Sequence, residues 1–74
     1  MIVELDPDAP VGELHEVVNR GPDLLGVWCG QSHHAELHPG QTATFERIRE
    51  PADAPWVKWR LAVLIAAQHV GRAA

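Results

Sequence analysis

The chain has 74 residues, 46% of them hydrophobic, with 6 basic against 10 acidic side chains and a net charge of −4 with neutral histidines. That length gives one domain, 1–74, with a thin stability margin, and the single cysteine, Cys29, excludes an intrachain disulfide. The acidic balance argues against nucleic-acid binding, which usually shows a basic stripe, and no apolar run reaches the ~20 residues of a membrane helix.

No secretory signal is read in the opening residues, so a cytoplasmic protein is expected. Residues 2–5, IVEL, form a short β-prone run that Asp6, Pro7 and Asp8 break with turn chemistry. Asp8-Ala9-Pro10 then reads as a helix start, a device repeated at Asp53-Ala54-Pro55. A first, short helix is expected over 10–19, where Val11, Leu14, Val17 and Val18 recur at spacings of three and four. Gly21-Pro22 ends it.

Residues 24–29, LLGVWC, read as a buried strand by length and flanks, with Gly26 permitting a bulge or close backbone approach. Gly30-Gln31-Ser32 is a turn, residues 34–38 alternate weakly, and Pro39-Gly40 is the clearest hairpin signal. Residues 41–48 return as a strand rich in Thr and Phe. Within this region LHPGQTATF, from Leu37 to Phe45, is similar to the Leu-x-Pro-Gly-Gln-x-x-x-Phe hairpins of immunoglobulin-like β-sandwiches. The resemblance implies a strand–turn–strand there, and no family is carried over from it, because the remaining elements are too few for a sandwich.

The stretch 56–70, WVKWRLAVLIAAQHV, reads as a long helix stopped by Gly71. The expected fold is therefore α+β: a small three- to four-stranded, mostly antiparallel sheet packed by a long C-terminal helix, with a short N-terminal helix. The helix is apolar over an arc too wide for so small a sheet to cover, so a second protein surface, most simply another copy of the chain, is expected to complete it.

Two constellations carry possible chemistry. Cys29, His33, His34 and His38 are zinc-type ligands, but their spacing matches no zinc module, and the set is incomplete unless His15 or His69 joins. A buried cysteine with loop histidines nearby is the simpler reading, so neither a metal nor a cofactor is expected. A Cys–His nucleophile pair would need an orienting group and an oxyanion site that nothing in the chain announces. No phosphate loop, dinucleotide fingerprint, nucleophile elbow or HExxH is present, and the chain is not expected to be an enzyme.

Trp56, Trp59, Arg60 and Arg49 supply the residue types of interface hot spots. The expected role is a protein-interaction module, an inhibitor, adaptor or phage-like accessory protein that binds another protein and forms a homodimer. The alternative is a small zinc-binding module. Nucleic-acid binding through Arg47, Arg49, Lys58 and Arg60 is the weakest reading.

Overall fold

Alternation is clearest in residues 42–48, TATFERI, where Ala43, Phe45 and Arg47 are buried and the side chains between them are half-buried. A strand with one face in a core reads this way. In the computed structural model, which describes residues 1–66, this segment is the central strand of an all-β fold. Six strands run in order: β1 (Ile2–Glu4), β2 (Leu14–Val18), β3 (Leu25–Cys29), β4 (Ser32–Leu37), β5 (Thr42–Ile48) and β6 (Lys58–Ile65). They form two three-stranded sheets, β1-β3-β4 and β2-β5-β6. β1 runs parallel to β3; the other pairs are antiparallel.

The sheets share one core. Leu25, Val27 and Leu37 come from the first sheet, Val17, Ala43, Phe45 and Trp59 from the second, and Leu5 and Ala9 from the crossing between β1 and β2. The chain passes between sheets three times, at β1–β2, β2–β3 and β4–β5. Each crossing exposes backbone groups to the core's rim, and two polar side chains at opposite ends of β5 satisfy them.

At one end is Asn19, 1% exposed. Its amide nitrogen donates to the carbonyls of Asp23 (2.8 Å) and Leu37 (2.9 Å), and its amide oxygen accepts from the Gly21 N–H (3.0 Å). Its own backbone exchanges bonds with Gly40 and Gln41. At the other end is Arg47, whose Nε donates to the Ala9 carbonyl at 3.0 Å and whose Nη2 donates to the Pro7 carbonyl. The indole N–H of Trp59 donates to the Asp6 carbonyl at 2.8 Å.

The expected α+β architecture is overturned: among the described residues there is no helix. Residues 10–19 contain β2, and its i, i+3, i+4 stripe is not a buried one. Val17 is buried, while Val11 and Leu14 are more than half exposed. Five ladder partners on β5, from Leu14↔Glu46 to Val18↔Thr42, decide the matter. The long C-terminal helix is likewise a strand. Trp56, Val57, Trp59, Val63 and Ile65 are β-formers, and seven register pairs with β5 hold Lys58–Ile65 extended. Residues 67–70 of that expected helix lie outside the described residues.

Both Asp-Ala-Pro copies do share a device, though it is not a helix start. The N–H of Ala9 meets the Asp6 carbonyl and that of Ala54 the Pro51 carbonyl, closing two turns. Each Ala is buried, and each Ala carbonyl accepts from an arginine near the end of β5: Ala9 from Arg47, and Ala54 from Arg49 at 2.5 Å.

The turn readings fare better. Gly30 (φ 59°) leads the two-residue β3–β4 connection, the pattern of a II′ hairpin. Gly40 (φ 86°) follows Pro39, with the Gln41 N–H on the His38 carbonyl at 3.0 Å, as a type II turn requires. That turn, however, is not a hairpin. It carries the chain from β4 in one sheet to β5 in the other, so the segment from Leu37 to Phe45 bridges two sheets, and the expectation of too few strands for two sheets is corrected.

Candidate functional site

β6 carries the two features that stand out. It is an edge strand, hydrogen-bonded to β5 on one side only among the described residues. Its register slips between Thr44 and Phe45: Phe45 faces Leu61 while Thr44 faces Val63, leaving Ala62 as the extra residue of a bulge. Side chains directly opposed across a ladder share a face. Leu61 and Leu64 therefore lie in the inward rows of Phe45 and Ala43, while Val63 and Ile65 lie in the outward rows of Thr44 and Thr42.

All four are exposed, Leu61 by 39%, Val63 by 48%, Leu64 by 51% and Ile65 by 50%. The apolar surplus expected of a helix is thus found on an edge strand. No charged side chain interrupts residues 61–66. Edges of this kind are normally blunted by lysine, proline or cover.

The N-terminal end of β6 borders a cavity of about 150 Å³ lined by Cys29, Ser32, His34, Arg47, Val57, Lys58 and Trp59. His34 reaches it because of a second bulge. Val27 faces Ala35 but Trp28 faces His33, so His34 is the extra residue of β4. Without that slip His33 would share the face of Ala35 and Leu37. As it stands, the His33 ring packs edge-on against Trp28 at 4.9 Å, and the His34 ring lies 6.4 Å from that of Phe45 in the opposite sheet.

Burial lowers the pKa of His34, and the charges of His33 and Arg47 lower it further. The folded chain thus favours the neutral ring. Its stabilising effect is complete above the unfolded-state value of about 6.5 and is lost as pH falls through the folded value, because the unfolded chain then binds more protons. Urea midpoints measured across a pH series should therefore decline less steeply below about pH 6.5 in His34→Gln than in the parent. Identical slopes would remove His34 as the source.

The structure separates the residues that the sequence grouped. Of the four zinc candidates, Cys29 and His34 share the cavity, while His33 stacks on Trp28 and His38 is exposed in the β4–β5 turn. Among the described residues no three His, Cys, Asp or Glu side chains gather as metal ligands. Of the interface candidates, Trp56 is 56% exposed and Trp59 only 3%. Arg60 pairs with Glu46 across the ladder at 2.7 Å, and Arg49 is turned onto the Ala54 carbonyl. Arg47 is buried, so the four basic residues considered for nucleic acid do not make one exposed stripe.

Ser32 and Val57 were not singled out, and Arg47 and Lys58 were grouped only with Arg49 and Arg60, for nucleic acid. Forty residues of sequence separate Arg47 from the Pro7 carbonyl it holds, and the bulge read at Gly26 is not the one that places His34, since Gly26 pairs in register with Glu36. Among the described residues no helix is long and apolar enough to cross a membrane. The chain matches no family model, no curated protein and no solved structure.

Proposed function

We propose that the protein is a non-enzymatic interaction module that binds by strand addition at the free edge of β6, most directly to β6 of a second copy. The observation that carries this is the run Leu61–Ile65: an edge unpaired among the described residues, apolar on both faces and without a charge. An incoming strand would satisfy the open backbone groups, and its side chains would cover Leu61 and Leu64 on one face and Val63 and Ile65 on the other. Completing the burial of four half-exposed aliphatic side chains contributes roughly 1 kcal/mol apiece, and the edge hydrogen bonds fix register. A second copy offers the same apolar strand, and an antiparallel two-fold pairing closes without leaving a further edge on β6.

Sedimentation at micromolar concentration should give twice the chain mass. Val63→Lys places a charge on the outward face of the edge, where Val63 contributes little to the core, and should return the mass to that of one chain with the fold intact. A parent protein that is strictly monomeric, with β6 edge amides exchanging as fast as those of an exposed loop, contradicts the dimer.

A further inference from the structure

The cavity beside Trp59 has a charge imbalance that protein atoms do not answer. Arg47 is only 6% exposed, and a guanidinium so far from water ordinarily faces a carboxylate. Here it does not. Among the described residues the ion pairs are Lys58–Glu50 and Arg60–Glu46. Arg47 meets neutral groups instead: the Ala9 and Pro7 carbonyls and the face of Trp59, with its Cζ 5.3 Å from the ring centroid.

Two of its five N–H donors are used in this way. The Nη1 end makes no hydrogen bond with the described residues, yet among them no side-chain nitrogen is both sealed and unpartnered. That end therefore opens to solvent, and the cavity is the opening Arg47 lines. Among the described residues nothing acidic lines the same space. Lys58 adds a second cation, Ser32 a hydroxyl and His34 an imidazole. Lys58 does touch Glu50 at 3.6 Å, but both side chains are about half exposed or more, and a pair so placed is weak.

We infer that this cavity binds a phosphate-type oxoanion, with Arg47 and Lys58 neutralising its charge and Ser32 and His34 completing its hydrogen bonds. The cavity, about 150 Å³, is large enough for one such group with water beside it. Arg47 is held ready by the two carbonyls and the Trp59 ring, so little side-chain freedom is lost on binding. Charge-assisted bonds to phosphate are the strong ones. The site is independent of the β6 edge at Leu61–Ile65 and stands whether or not that edge pairs.

The test is a titration of the full chain, followed by NMR, with sodium phosphate and with O-phosphoserine, against sodium chloride and sodium acetate at matched ionic strength. Saturable shifts are expected at the Trp59 indole N–H and the Arg47 Nε–H with the two phosphates. Tighter binding of inorganic phosphate marks a free anion, and tighter binding of phosphoserine marks a phosphorylated partner. Lys58→Gln, an exposed change, should weaken phosphate about tenfold, the loss of one charge-assisted bond, and Ser32→Ala should weaken it less. Non-saturating shifts equal to those with chloride, acetate binding as tight as phosphate, or an unchanged Lys58→Gln would each overturn the proposal.

Discussion

Trp59→Ala is expected to remove a large share of the chain's stability, whereas Trp56→Ala is expected to be nearly silent. The two residues look alike in sequence, three apart in an apolar run. In the fold, Trp59 is 3% exposed and Trp56 is 56% exposed. Truncating a buried Trp costs about 3–5 kcal/mol. Here it also strips the Asp6 carbonyl of its indole donor and the Arg47 guanidinium of its aromatic face. The whole stability of a chain this size is about 4–11 kcal/mol, so one substitution removes most of the lower part of that range. An exposed change such as Trp56→Ala stays within about 0.5 kcal/mol.

Trp59→Phe separates the two parts of the Trp59 effect. It keeps a ring under Arg47 and loses the hydrogen bond, worth about 1 kcal/mol. Urea unfolding of the three variants checks the order. A Trp59→Ala protein as stable as Trp56→Ala would mean that Arg47 and the 6–9 turn are not organised by Trp59.

The second large effect is expected at Asn19. Its amide nitrogen gives two hydrogen bonds to carbonyls and its oxygen takes one from an N–H, so only a side chain with both a donor and an acceptor end fits. Asn19→Asp keeps the size and reverses the donor end. A buried carboxylate then faces the Asp23 and Leu37 carbonyl oxygens, at a cost of about 3–5 kcal/mol at neutral pH. Asn19→Ala loses the bonds without adding charge and should cost about 2–3 kcal/mol.

Acid distinguishes these two variants. Burial and the facing carbonyls raise the folded pKa of the new carboxyl above its usual value near 3.9. The protonated form is then favoured in the folded chain. Stability relative to the parent is recovered as pH falls and is lost as pH rises through the folded pKa. Asn19→Ala should show no such recovery. If Asn19→Asp matches the parent at neutral pH, Asn19 is not the clasp at the β2–β3 and β4–β5 crossings.

Turns and four strands were legible because their causes are local. Gly30 and Gly40 supply positive φ where the turns need it, 2–5, 24–29 and 41–48 carry β-prone runs between breakers, and 34–38 alternates. The two expected helices failed for one reason. Their apolar residues sit at spacings that a helix or a half-buried strand can both use, and helix propensity is a weak prior. Pairing with β5, which neither segment's own residues announce, outweighed it for both. The site was less legible still. His34 enters the cavity because a bulge shifts β4 by one residue, and a one-residue slip reverses which face every later side chain occupies.

Residue order alone thus determined where the chain turns, that no intrachain disulfide can form, and that the stretch after Trp59 is rich in apolar side chains, which the described residues leave half exposed. Whether that surface lies on a helix or on a strand edge was decided only in three dimensions, as was which tryptophan is buried and which buried arginine meets carbonyls and an aromatic face. The physical reason is that ladder pairing and burial join residues tens of positions apart: each segment's conformation is settled by the free energy of its partners, and those partners are not written in the segment itself.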